Sequence, residues 1–290
     1  MRGCHRLFRY GHVGCCIGAD RPVDRSSLKM KVRAAWRTVL ALGLMLSPLV
    51  SPTPAVADSG GPVSEGFLIP QGETYVTQTT DLETGYSSVD TTLVTYVEED
   101  GRPYYLVKRT GGGMTTSIWM SRDGLLPYRY QSLDSSGSVE RQIDFSGQTL
   151  RITGEGEGQA RIVEVEADAD THTGATLLHH LRAFSHQSNS DKVDLRLLVD
   201  RGQDTFRIVD VYAKRRGQAD VVVPGGTFRC VEIEFGVAGM IGRLFWSTRY
   251  HYYYTADPPC HLVKYVDPGR KHIELIQYGR VEKTRTVGGD

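Results

Sequence analysis

The sequence is poor in cysteine, in net charge and in long apolar runs, and each shortage removes a class of protein. Of five cysteines, Cys4, Cys15 and Cys16 sit near the start, which leaves Cys230 and Cys260 for the rest of the chain. No cysteine follows the apolar run Val39–Leu46 (VLALGLML), so lipid anchoring of the lipoprotein type is not expected. That run is also far short of the ~20 residues that span a bilayer, which argues against a retained anchor. The 34 basic residues balance 34 acidic ones. The clustered basic face that nucleic acid requires is missing.

Catalytic motifs are missing as well. There is no G-x-S-x-G and no Cys–His pairing of recognisable spacing. Gly111-Gly112-Gly113 is not followed by the basic residue of a phosphate loop. The acidic GEGEG of Gly154–Gly158 lacks the ligand spacing of an EF-hand and reads as a hairpin tip. Zinc would need two ligands on one helical face plus a third. His179 and His180 are adjacent, so they point about 100° apart on a helix. With His172 and His186 they read as ordinary histidines rather than metal ligands. No catalytic residue, cofactor or metal is expected, and the chain is read as a non-enzyme.

What is present begins with a leader. Lys31, Arg33 and Arg37 precede Val39–Leu46, a polar stretch follows, and Ala55-Val56-Ala57 is a small-x-small cleavage site. Translation from Met30 and cleavage after Ala57 are expected, so residues 1–57 stand outside the fold and the protein is periplasmic or secreted. No transmembrane segment is expected after cleavage. Removing residues 1–57 takes nine of the 34 basic residues and two of the 34 acidic ones, for a net charge of −7. Residues 58–72, rich in Gly, Pro and Ser, read as a loose lead-in. Residues 73–280 read as a single β-rich domain, and 281–290 as a disordered tail.

Short runs rich in Val, Ile, Thr, Tyr and Phe fill that domain, each bounded by Gly, Pro, Asp or Ser. Eight precede Asp168: Glu73–Thr80, Ser87–Glu98, Pro103–Thr110, Thr115–Ser121, Pro127–Leu133, Val139–Phe145, Thr149–Thr153 and Arg161–Ala167. One segment breaks the rhythm. Thr173–Phe184 (TGATLLHHLRAF) places Leu177, Leu178, Leu181 and Phe184 near helical spacing, with Thr173 ready as N-cap. Strands resume at Lys192–Val199, Thr205–Tyr212 and Ala219–Val223. A terminal meander follows: Thr227–Phe235, Arg243–Thr255, His261–Val266 and His272–Tyr278. The fold class is therefore all-β with one helix, a strongly curled antiparallel sheet or half-barrel packed around that helix.

The Arg243–Thr255 run carries Phe245, Trp246, Tyr250, Tyr252, Tyr253 and Tyr254. The plain reading is core packing with cross-strand aromatic pairs, and Phe228 and Trp246 are expected to anchor the meander. The sharper one is an apolar cavity lined by Phe245, Trp246, Tyr250, Tyr252 and Tyr254, and closed by Leu177, Leu178 and Leu181. Cys230 and Cys260 suit a disulfide in an exported chain. Two inter-strand spacings, together about 9.5 Å in a flat meander, would hold them apart. Both states stay open.

Val223-Pro224-Gly225-Gly226-Thr227-Phe228, followed by Cys230-Val231-Glu232-Ile233-Glu234, resembles the "VPAGTF-x-C/A-x-x-x-E" signature of a family of exported bacterial proteins. That family is known as a domain of unknown function (thirty-one-oh-eight). Asp257-Pro258-Pro259, Leu262–Tyr265 and Ile273–Leu275 resemble its ending, and the helix ending Leu181-Arg182 resembles its "D-x-x-S-A-x-x-x-L-R" helix. There this sequence departs, with Gly174-Ala175-Thr176 and His179-His180. The resemblance implies an exported β-rich domain, akin by fold analogy to LolA- and LolB-like lipoprotein carriers, and brings no catalytic residues. The function expected is binding of an apolar ligand or lipid-bearing envelope partner. The competing expectation is a non-catalytic periplasmic interaction scaffold with a fully packed core.

Overall fold

The computed structural model describes Phe67 and residues 69–281, apart from 157–158, 187–189, 202–204 and 240–247. The expected leader, its cleavage site and the tail beyond Val281 lie outside the described residues, as do Phe245 and Trp246.

The eight N-terminal runs form strands β1 (Glu73–Asp81), β2 (Ser87–Glu99), β3 (Arg102–Gly111), β4 (Met114–Ser121), β5 (Pro127–Leu133), β6 (Val139–Ser146), β7 (Thr149–Gly156) and β8 (Gln159–Glu166). A two-residue strand β9 (Thr171–His172) leads into helix α1 (Gly174–His186). Then come β10 (Lys192–Asp200), β11 (Phe206–Val223), β12 (Gly226–Val237), β13 (Tyr250–Thr255), β14 (Leu262–Asp267) and β15 (Lys271–Arg280). Among the described residues they make one sheet, ordered β8 back to β1, then β15 back to β9. All neighbours are antiparallel except β9 and β10. The chain thus starts mid-sheet: β1 pairs with both β2 and β15.

This is the expected curled antiparallel sheet around one helix, and it does not close into a barrel: β8 and β9 are its two edges. Curvature still brings the two arms together, since Arg141 on β6 donates to Asp200 on β10 over 2.7 Å and lies over the Phe206 ring.

One expected break is absent. Thr205–Tyr212 and Ala219–Val223 are a single 18-residue strand, β11. The intervening Lys214–Gln218, left outside both expected strands, is rich in charge. The strand carries it through on a bulge between Arg215 and Gly217, and Arg216 binds Glu234 of β12 through two N–H donors at 2.8 and 2.6 Å. A bulge of this kind inserts a residue without ending the pairing.

The helix begins where the sequence placed it. Thr173 Oγ1 accepts the Thr176 N–H at 3.2 Å, and Thr176 Oγ1 accepts the Thr173 N–H at 2.8 Å. That reciprocal pair satisfies orphan donors of the first turn, a capping box with Thr in the place of the usual acid. Leu177, Leu181, Ala183 and Phe184 are buried. Phe228, expected to anchor the meander from full burial, is half-buried, its ring set edge-on to His261 at 5.7 Å.

Candidate functional site

The inner faces of β1–β5 and of β13–β15 leave a cavity of about 530 Å³ beneath α1. Strand alternation fixes what it sees, because residues two apart share a face. β1 contributes Tyr75, Thr77, Thr79 and Asp81; β2 contributes Ser88, Asp90 and Thr92. Register then sorts these into rows across the sheet. The deepest is apolar: Val107, Ile118 and Tyr130 lie side by side, all buried. The next is polar, running Tyr75, Thr92, Arg109 and Thr116. Beyond it come Thr77, Asp90, Gly111 and Met114, then Thr79 beside Ser88. The wall grades from apolar at depth to hydroxyl-rich towards the mouth.

Helix α1 supplies the roof through Ala175, Leu178, His179 and Arg182, at the i, i+3, i+4, i+7 spacing of one face. Tyr254 on β13 ties that roof to the sheet, its hydroxyl donating to the Leu178 carbonyl at 2.7 Å. Arg182 fastens the deep end. Nη1 and Nη2 donate to Glu73 Oε2 and Oε1, each at 2.7 Å, and Nε donates to the Pro259 carbonyl at 2.7 Å. Arg182 is 3% exposed and Glu73 is not exposed at all. Burial pulls the guanidinium down, but the Glu73 carboxylate outweighs it and holds Arg182 above the ordinary arginine value.

The mouth is shaped by the β1–β2 turn. Asp81 Oδ1 accepts the Glu83 and Thr84 N–H groups and the Thr84 hydroxyl, which hold its carboxyl below the usual range. Inside, Arg109 Nη2 donates to Asp90 Oδ2. Asp90 Oδ1 lies over Gly111, where a Cβ would sit on that oxygen and 2.6 Å from the Val89 carbonyl oxygen. Gly111→Ala is therefore expected to lose about 1–3 kcal/mol, the usual strain of overpacking. Urea denaturation of the pair of proteins measures it; a loss indistinguishable from that of an exposed-loop Gly→Ala would show that Asp90 has room to move.

Of the residues expected to line an apolar site, Leu178 and Tyr254 do. Leu177 and Leu181 are fully buried and lie on other helix faces. Tyr250 and Tyr252 are buried but belong to an aromatic stack with Phe235 and Tyr265, Tyr252 lying 4.7 Å from Tyr265. The main walls come instead from β1–β4, which carried no expected site residue. One signal was available: the run Thr74–Asp81 (TYVTQTTD) has no apolar face, which is unusual for a strand paired on both sides.

Cys230 and Cys260 are both free and buried. They belong to different apolar clusters, Cys230 with Val221, Val263 and Leu275, Cys260 with Ile69, Tyr105 and Ala183. Burial pushes the Cys230 thiol up to about 12, which makes it inert rather than nucleophilic. The His172 and His180 rings lie 4.5 Å apart, and burial lowers both far below the ordinary imidazole value, His180 to about 4. His179 is lowered by burial and the Arg182 charge to about 3. Neutral imidazoles at depth are poor proton shuttles near pH 7.

No family profile matches the chain and no curated protein matches it, so the family resemblance rests on the sequence motifs alone. Solved structures with similarity include a candidate lipoprotein from Parabacteroides distasonis: 11% identity, 73% of this chain and 97% of that one, TM-score 0.30. Another is a candidate exported protein with a YmcC-like fold from Bacteroides fragilis: 10% identity, 74% of this chain and 98% of that one, TM-score 0.29. Among the described residues no helix is long and apolar enough to cross a membrane.

Proposed function

We propose that this is an exported, non-enzymatic binding protein that carries an amphiphile, free or attached to an envelope partner, in the cavity between α1 and the sheet. The observation that supports this most is the space itself. About 530 Å³ lies within the range of small-molecule sites, and it favours a carrier over a scaffold with a filled core. Its depth is apolar, as an acyl or alkyl chain requires, and the buried Glu73–Arg182 pair gives the roof a fixed seat. The leader pattern ending at Ala57 supports export.

A neutral environment-sensitive dye, N-phenyl-1-naphthylamine, tests the reading. It is expected to bind the folded protein saturably at one site and to be displaced by amphiphiles. Ala175→Trp puts an indole into the roof of the cavity. It should weaken dye binding at least tenfold while the melting temperature stays within a few degrees, because an empty space tolerates filling. Non-saturable dye binding by the natural sequence, or unchanged binding by Ala175→Trp, would remove the carrier reading.

A further inference from the structure

Resting on that carrier reading, we propose that the ligand's head group is a neutral polyhydroxylated group of the sugar type, read by Asp90, Arg109 and the threonine and serine hydroxyls between the apolar depth and the mouth.

Charge accounting comes first. The two arginines on the lining each already hold an acid. Arg109 is held by Asp90 and Arg182 by Glu73, while Lys271 lies across from Asp81 in register at the β1–β15 end of the lining. His179, the remaining titratable group on the roof, is neutral near pH 7 because burial and Arg182 disfavour its charged form. Between the Asp90–Arg109 and Glu73–Arg182 pairs, a carboxylate or phosphate would lose hydration without gaining an unspent cation, and a quaternary ammonium would find no unspent acid. Burying an unpaired charge is the costliest way to occupy a cavity.

The uncharged polar groups point the same way. Thr77, Asp90 and Thr92 are buried yet line the cavity. Thr79 Oγ1 is buried without a hydrogen-bond partner among the described residues. A hydroxyl both donates and accepts, so a polyol can answer threonine hydroxyls in either sense. A carboxylate only accepts, and a quaternary ammonium does neither. The Asp90–Arg109 pair presents an acceptor beside a donor fork, which matches two neighbouring hydroxyls, one donating to the carboxylate and one accepting from the guanidinium. Gly111 is what admits the Asp90 carboxylate to this position. Tyr75 and Tyr130 lie against the same wall, and ring faces of this kind suit the C–H face of a sugar. A wall built for an alkyl chain alone would leave the Thr79 hydroxyl unanswered, at a cost of about 1–3 kcal/mol for an unsatisfied buried polar group.

Displacement of the naphthylamine dye by a series with one chain and different heads tests this. Decyl maltoside, decanoate and decyltrimethylammonium are titrated below their micelle-forming concentrations, with maltose as the head alone. Decyl maltoside is expected to displace the dye at least tenfold more effectively than either charged amphiphile, and maltose to displace it weakly. Thr79→Val, nearly isosteric, and Asp90→Asn should each narrow the gap between decyl maltoside and decanoate at least fivefold. Equal displacement by all three chains, or tighter binding of either charged one, overturns the head-group assignment and leaves the carrier reading standing. Dye that binds saturably but yields to none of the chains overturns the assignment too, whereas absence of saturable dye binding is the failure of the carrier reading itself. The series on the natural sequence requires no variant, so poor folding of Asp90→Asn does not rescue the proposal.

Discussion

Glu73→Gln lowers the folding free energy by about 3–5 kcal/mol, the size of loss seen when one partner of a buried ion pair is removed. For a domain of this size that is a fall in Tm on the order of 10 °C. The cause is not the lost attraction alone. Arg182 is 3% exposed, so without the carboxylate its charge stays in a low-dielectric pocket with only neutral acceptors, the substituted amide oxygen and the Pro259 carbonyl, to answer it. The double variant Glu73→Leu with Arg182→Met behaves differently. Two apolar side chains of similar bulk carry no desolvation penalty, so most of the loss is recovered. Chemical denaturation of Glu73→Leu, Arg182→Met and the double measures this as a thermodynamic cycle, with Glu73→Gln alongside. A single-variant loss below about 1 kcal/mol, or a double variant as unstable as the sum of the singles, would mean the pair is solvated and the roof is held by something else. Dye binding adds a second readout. The pair seats α1 over the deep end of the cavity, so Glu73→Gln also weakens dye binding under conditions where the protein remains folded.

That ion pair marks where sequence reading stops. Glu73 and Arg182 are 109 residues apart, and neither position has a local pattern that predicts the other. The strands were legible because each is bounded by residues that turn the chain for a physical reason, as Gly72, Gly85, Gly101, Gly113 and Gly124 do with φ between 71° and 92° across such bends. The helix was legible because Thr173 caps it and leucines recur on its inner side. Which side of each strand is inner was the hard part. Thr77, Thr79, Asp90 and Thr92 look like a solvent face, since polar residues usually stand there. Here the polar face of β1 and β2 is the concave one, and it lines a cavity. The tyrosines of β13 drew attention as an apolar lining, yet Tyr250 and Tyr252 pack into a stack and leave only Tyr254 at the space. Alternation says that two faces differ; it does not say which one the sheet curls around.

The buried histidines give the second large effect, an acid instability that begins well above the range of carboxylates. Burial lowers His180 to about 4, burial and the Arg182 charge lower His179 to about 3 and His261 to about 4, and burial with His180 nearby lowers His172 well below 6.5. All four are at most 7% exposed, and His172 Nε2 and both ring nitrogens of His180 and His261 lack hydrogen-bond partners among the described residues. The unfolded chain protonates each near pH 6.5. Above that value neither state binds the proton and the full stability is present. As pH falls below 6.5 the unfolded state takes up protons that the folded state refuses. Each histidine then removes about 1.4 kcal/mol per pH unit until its own folded value is reached. At pH 5 the loss is about 2 kcal/mol for each of His179, His180 and His261, or roughly 6 kcal/mol together, to which His172 adds in the same direction; that is comparable to the whole stability of a typical domain. Asp267 works the other way, because burial raises its carboxyl above the usual value, but a single group cannot cancel four. Asp81 and Asp134, held low by local hydrogen bonds, act in the same direction as the histidines only at still lower pH. Urea midpoints measured between pH 7.5 and pH 5 should therefore fall steeply from about pH 6.5, and His180→Phe should remove close to a quarter of the slope. A stability that stays level down to pH 5 would mean these rings are hydrated in solution, and with them the deep side of the helix against which His172 and His180 are packed.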